Sequence, residues 1–120
     1  NMDYHVSHDM GKTWSESGKS YCAKRIRNPQ VCRVKRGYLL HGRSGCNGTE
    51  LPMNFVLYTS LDGIHWDEGL FICEHKTATA YYSNNLVMDM DDGSQRVLIQ
   101  PSVPYSKGGV NISHWFVDIK

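Results

Sequence analysis

Residues 7–14 read Ser7-His8-Asp9-Met10-Gly11-Lys12-Thr13-Trp14, and residues 60–66 read Ser60-Leu61-Asp62-Gly63-Ile64-His65-Trp66. Each stretch follows a short run of strand character, Tyr4-His5-Val6 in the first case and Phe55-Val56-Leu57-Tyr58 in the second, and each leads toward another such run. The two begin 53 residues apart. Self-similarity at such a period in a β-rich chain points to stacked or radially arranged sheets. The residue types describe a self-locking hairpin turn. Asp9 or Asp62 accepts backbone N–H bonds within its own turn, and the serine hydroxyl adds another. Gly11 or Gly63 allows the tight path, and Trp14 or Trp66 folds back over the hairpin as an apolar cover.

Outward from these turns, period and punctuation predict strands near Asp3 to Ser7, Thr13 to Glu16, Arg33 to Arg43 with a break at Arg36-Gly37, Phe55 to Ser60, His65 to Ile72, Tyr82 to Asp89, Arg96 to Gln100 and Ile112 to Ile119. Asp62-Gly63, Asp92-Gly93, Gly108-Gly109 and Arg36-Gly37 supply positive φ cheaply and close hairpins. No window of a dozen residues carries a 3.6-residue apolar stripe, and the four prolines interrupt most candidates, so little helix is expected. The fold class is all-β, an antiparallel meander.

Composition agrees. The 120 residues are 40% hydrophobic and 21% charged, with eleven Gly and seven Tyr, which is the balance of a globular domain. No apolar run approaches the roughly 18 residues of a spanning helix, so no membrane partner is expected. The net charge of +1 is unevenly spread, +5 over residues 1–40 and −4 over 41–120. A basic third can meet an anionic ligand or form a solvated face. With no nucleic-acid motif, phosphate loop or run of five like charges, no nucleic acid partner is expected. Cys22, Cys32, Cys46 and Cys73 match no zinc pattern and the six His have no HxxxH-type spacing, so neither metal nor cofactor is predicted. Cys32 and Cys73 sit in apolar strand-like runs, where buried thiols are expected, although export would permit disulfides. The triplets Asn47-Gly-Thr49 and Asn111-Ile-Ser113 are glycan acceptors only in a eukaryotic secreted protein. The chain opens on Asn1 without a charged-then-apolar leader, which fits a processed chain, a fragment, or one made without its native start.

The repeated turn resembles the Asp-box, the S-x-D-x-G-x-T-W repeat of sialidases and related β-propellers. The first copy matches all five fixed positions, and the second has the shortened S-x-D-G-x-x-W form with His65 where Thr is usual. The resemblance implies four-stranded antiparallel propeller blades: a half blade over 1–17, a full blade over 21–72 and a partial blade over 80–120, about two blades of a six-bladed propeller. It also implies a secreted, periplasmic or extracellular location. Ser7, Asp9, Gly11, Trp14, Ser60, Asp62, Gly63 and Trp66 are then structural, since in that family the boxes lie on the rim away from the active site.

Three further segments bear on chemistry. Arg27-Asn28-Pro29-Gln30-Val31-Cys32-Arg33-Val34 and Gly37-Tyr38-Leu39-Leu40-His41-Gly42-Arg43 resemble the first two strands of a sialidase blade, the second ending in an Arg that clamps the substrate carboxylate. Arg43 takes that role, because a guanidinium donates two parallel hydrogen bonds to two oxygens. The alternative is a surface Arg closing a hairpin. Ala80-Tyr81-Tyr82-Ser83-Asn84-Asn85-Leu86-Val87 resembles the inner strand that carries the sialidase nucleophile, with Tyr82 at that tyrosine. A phenol suits a sugar whose anomeric carbon bears a carboxylate, since an attacking carboxylate meets like-charge repulsion. Arg27, Asn28 and Asn84 complete the substrate-binding candidates.

The chain departs from the pattern where the family places a Glu before the proline as base partner, because Asn28 stands there and cannot take a proton. Glu50, Glu68 or Glu74 would have to serve instead. The family's other two arginines and its Asp acid/base have no counterpart, and Lys76 offers a charge without a fork. The resemblance implies a sialidase-like glycoside hydrolase acting on terminal acidic sugars, or alternatively a non-catalytic Asp-box propeller that binds glycans or proteins. The expected partner is a carbohydrate ligand, or a protein in the second reading, together with self-association or the missing part of the propeller to cover open edges.

Overall fold

The structure, a computed structural model, describes residues 1–44, 54–74, 81–106 and 109–120, with backbone alone at 73–74 and 104–106. The expectations on Cys46, Glu50, Lys76, the Asn47 triplet and the side chains of Cys73 and Glu74 lie outside the described residues. The fold is all-β, without helix among the described residues. Ten strands run in chain order: β1 Met2–Tyr4, β2 Gly18–Ser20, β3 Arg27–Val34, β4 Gly37–Ser44, β5 Asn54–Ser60, β6 Leu70–Glu74, β7 Ser83–Asp89, β8 Gln95–Ser106, β9 Gly109–Ile112 and β10 Trp115–Ile119.

Every pairing is antiparallel. β1 and β2 form a ribbon around the first turn, β3-β4-β5-β6 form a central four-stranded meander, and β10-β8-β7 form a third sheet with β9 paired to the far half of β8. The period-2 alternation of the central sheet divides its side chains between two cores. Leu39, Phe55 and Val34 face the third sheet and bury against Tyr81, Val97 and Ile99. Leu40, Val56 and Tyr58 face the opposite way onto Cys22, with Met2, Ile26, Trp66 and Phe71 around them. The two central strands, β4 and β5, are buried on both faces and read as the short apolar runs at 38–40 and 55–58.

Several strand bounds differ from expectation, for local reasons. Thr13–Glu16 is not a strand, because Thr13 N donates to Asp9 Oδ1 at 2.9 Å and Thr13 Oγ1 to Asp9 Oδ2 at 2.6 Å, which keep the chain in the turn; the closing strand is Gly18–Ser20, beyond the expected limit at residue 17. The strand expected from His65 begins only at Leu70, since Asp62 and Asp67 hold the intervening backbone through His65 N at 2.8 Å and Gly69 N at 3.1 Å. Arg96–Gln100 extends to Ser106. Ile112–Ile119 divides where Ser113 N donates to Pro101 O at 2.9 Å, carrying the chain from one half of β8 to the other.

The two turns are built alike. Ser7 Oγ receives Gly11 N at 2.7 Å and donates to Asp9 Oδ1 at 2.9 Å, while Ser60 Oγ receives Gly63 N at 2.9 Å and donates to Asp62 Oδ1 at 3.0 Å. Gly11 and Gly63 take φ of 86° and 79°, the left-handed region that glycine enters freely. His65 replaces the usual threonine and does its work: its Nδ1 lies 2.7 Å from Asp62 Oδ2, as Thr13 Oγ1 does from Asp9 Oδ2. Trp14 donates from Nε1 to Gly11 O at 3.1 Å yet stays 62% exposed, so it covers its turn by a hydrogen bond and an edge contact, without being buried.

Hydrogen bonds from Thr13 and Ser7 hold the Asp9 carboxyl down at about 2, and His65 beside Asp62 holds that carboxyl lower still. Each folded value lies below the unfolded 3.8, so each turn contributes stability that is present above that value and is lost as pH falls. Thermal melts should show Tm declining between pH 4 and pH 2, with Asp62→Ala lowering Tm at neutral pH and flattening part of that decline. The larger core effect falls on Phe55, fully buried with ring centroids 5.9 Å from Tyr81 and 4.9 Å from Trp115. Phe55→Ala should cost about 3–5 kcal/mol in chemical denaturation.

Candidate functional site

β3 and β7, the first strands of the central and third sheets, lie against each other, and a cleft of about 460 Å³ opens along their line. That volume falls within the range of small-ligand sites. Asn28 and Gln30 of β3 form one wall. Tyr82, Ser83 and Asn84 form the other, with Gln100 and Ser102 beside them on β8 and Ile112 next to Ser102 on β9. The lining is almost wholly uncharged amide and hydroxyl, which suits the polar periphery of a hydroxylated ligand.

The cation comes from β4. Arg43 is buried at 9% exposure, and its guanidinium lies over the Tyr82 ring at 5.1 Å from the centroid. Its Nε has no hydrogen-bond partner among the described residues, and none of the ion pairs there involves it. A buried cation without a carboxylate is costly, and the ring face offsets part of that cost. Tyr82 is 55% exposed, so one face of the phenol is held by the guanidinium while the ring remains open to the cleft.

Local backbone geometry explains how these groups are presented. Tyr81 takes φ of 73°, an uncommon conformation for an aromatic residue, and is locked by its N–H donating to Ser102 O at 2.7 Å while Ser102 N donates to Tyr82 O at 2.8 Å. The reversal sends the Tyr81 ring into the core and leaves Tyr82 facing out. Across the cleft, Asn28 takes φ of 51° where β3 bulges between Arg27 and Gln30. Asn tolerates the left-handed region far better than Glu, so the bulge itself favours an amide at this position. β4 accommodates the bulge through Gly42, where a Cβ would lie 2.8 Å from Arg27 O and 3.1 Å from Asn28 O.

Tyr82, Asn28 and Asn84 are thus brought together in the cleft lining, whereas Arg43 lies outside that lining and joins the group only through its contact with the Tyr82 ring. Arg27 stands opposite Arg43 in the ladder, exposed and outside the cleft lining. Glu68 lies on the far side of the central sheet, where its carbonyl receives Lys24 Nζ at 2.7 Å. No carboxylate lines the cleft among the described residues.

One participant had no signal in the sequence. His41 is fully buried between the sheets, its ring tilted against Phe55 at 5.6 Å. Nδ1 is 2.9 Å from Ser83 Oγ, and Nε2 is 3.0 Å from Asn85 Nδ2. With the amide nitrogen donating to Nε2, the imidazole donates from Nδ1, which defines a neutral tautomer. Burial lowers its pKa to about 4. The partners lie 42 and 44 residues away, and only the fold brings them together.

Family models, curated proteins and solved structures were each compared with this chain, and none matches. The site is accordingly defined by its own geometry. Gly42→Ala should force β3 away from β4 at the residue between His41 and Arg43. Urea denaturation should register a loss of about 1–3 kcal/mol, as for other overpacked contacts.

Proposed function

We propose that this chain supplies blades of a sialidase-like Asp-box propeller whose Arg43–Tyr82 cleft binds the carboxylate end of an acidic sugar. The carrying observation is Arg43 itself, a buried guanidinium stacked on an aromatic ring with donor capacity unspent. A carboxylate is the ligand group that matches a planar fork, and the surrounding Asn28, Gln30, Asn84 and Gln100 are suited to sugar hydroxyls. The two like turns at 7–14 and 60–66 and the succession of antiparallel sheets support the propeller reading. On that reading further blades cover the outer face of the third sheet, where Leu86 and Phe116 are each 57% exposed.

A second reading, a non-catalytic binder of glycans or proteins, draws support from Asn28. A tyrosine nucleophile needs a group that removes its proton, and an amide held in place by a backbone bulge is not one. Recognition should therefore outlast turnover.

Titration calorimetry with free N-acetylneuraminic acid should detect binding that Arg43→Ala weakens by about 10- to 100-fold, the loss of charge-assisted hydrogen bonds worth roughly 1.5–3 kcal/mol. Arg43→Lys should recover only part of it. A fluorogenic sialoside should give little or no product with the chain alone. Unchanged affinity in Arg43→Ala would remove Arg43 from the site, and rapid turnover surviving Tyr82→Phe would remove Tyr82.

A further inference from the structure

His41 makes none of the ligand contacts assigned above, yet it ties together the two strands that present the site. It lies on β4 with Arg43 two residues further along the same face, and its two ring nitrogens reach Ser83 and Asn85 on β7, the residues that flank the exposed side of the strand next to Tyr82. One imidazole therefore fixes β4 against β7 at the level where the guanidinium overlies the phenol ring. We propose that His41 is the positioning residue of the Arg43–Tyr82 site, holding the two side chains in stacking register as a neutral bridge between the sheets and releasing them when it is protonated. The proposal rests on reading that pair as the ligand site.

The hydrogen-bond logic gives the release its direction. The neutral ring donates from Nδ1 to the Ser83 hydroxyl and accepts at Nε2 from the Asn85 amide. Protonation turns Nε2 into a second donor facing the Asn85 amide N–H, so the present bond breaks and the Asn85 amide has to turn over and offer Oδ1 to restore it, while the bond from Nδ1 to Ser83 persists. It also adds a positive charge on the face that Arg43 already occupies. The groups packed around the ring do not compensate. Gln30 of β3 and Leu57 of β5 stand opposite His41 in the ladders, Phe55 lies against the ring, and Ile99 and Pro101 of β8 pair with Asn85 and Ser83. Among the described residues the titratable groups on this face are Tyr81, Cys32 and, four residues beyond Asn85 on β7, the exposed Asp89, which accepts from Gln95 Nε2 at 2.8 Å; the cation beside the ring is Arg43, and Arg27 beyond it is exposed. Among the described residues no carboxylate is packed against the ring to face an imidazolium.

The test is made on the full chain labelled with ¹⁵N, and it needs no ligand. Imidazole nitrogen spectra should show His41 protonated at Nδ1 only at neutral pH and titrating near 4. As it titrates, backbone amides of Ser83–Asn85, corrected for intrinsic exchange, should lose protection by about tenfold or more, while Gly11 and Gly63 in the two turns do not follow that midpoint. His41→Phe keeps a ring against Phe55 and removes both bonds; these amides should exchange fast already at pH 7 and without the pH step. His41→Gln retains a donor and an acceptor without a titratable nitrogen, so it should restore protection and abolish the step, and it serves where His41→Phe fails to fold. Protection unchanged through the His41 titration, or the same step in either variant, overturns the proposal. N-acetylneuraminic acid is then titrated at pH 7 and pH 4. Binding lost at the lower pH in the wild type and kept in His41→Gln supports the positioning role, and binding equal at both in the wild type overturns it. Absence of binding at both sinks the ligand reading while the exchange data still decide the role of His41 between the strands.

Discussion

Phe55 at the centre of the seam between the central and third sheets is the contact on which the arrangement depends. It is fully buried and touches His41, Tyr81 and Trp115, which come from three other strands or their approaches. Because the sheets are joined there by side chains and not by a backbone ladder, their relative placement is set by packing together with side-chain hydrogen bonds such as those of His41 with Ser83 and Asn85 and of Lys35 N with Gln95 Oε1. That placement brings β3 beside β7, and only then does an arginine on the second strand of one sheet meet a tyrosine at the head of the next. Ring geometry sharpens the constraint, since an edge contact to Trp115 and a tilted one to Tyr81 leave Phe55 little freedom to slide.

The seam is polar at one end, and its chemistry is economical. Ser83 and His41 satisfy each other with almost no exposure, and Asn85 completes the set from the partly buried side. Such a group is expensive if left unpaired and specific when paired, because a slip of one residue along either strand would turn Ser83 or His41 to the opposite face. An apolar substitute at 41 would pack as well but would fix the register less sharply. The guanidinium of Arg43 lies just beyond on the same face of β4, and the ring of Tyr82, which lines the cleft, takes the place of a counter-charge.

How much of this was legible in the sequence depends on how local each interaction is. The turns were, because every bond that makes them lies within four residues, and even the substitution of His65 for threonine leaves the pattern readable. Strand ends around the turns were misplaced for the same cause: side chains of Asp9, Asp62 and Asp67 capture backbone donors that alternation alone would assign to ladders. Asp67 had no recognised signature, although it binds Thr59 through both backbone and hydroxyl at 3.1 and 2.8 Å. Arg43 and Tyr82 were proposed from the resemblance of short strand motifs, and the structure adds that the guanidinium lies over the ring. His41, Gln30 and Ser83 were not, since their meaning lies in contacts between sheets whose packing no period in the chain encodes.

The composition of the cleft bears on what a phenol can do there. Nucleophilic attack by Tyr82 requires a partner that accepts its proton at about 3 Å, and the neighbouring amides and hydroxyls have no basic form near neutral pH. The cation stacked on the ring cannot accept a proton either. What the site does provide is donor capacity: a buried guanidinium with unused N–H, several amides, and an aromatic face half open to solvent. Those elements are the chemical basis of the proposed preference for an anion that arrives with hydroxyls around it over a neutral sugar that leaves the guanidinium unpaired. Asn28 fits the same picture from the backbone side, because the bulge that shapes the wall of the cleft selects a residue that tolerates left-handed φ, and such a residue brings an amide where proton transfer would need a carboxylate.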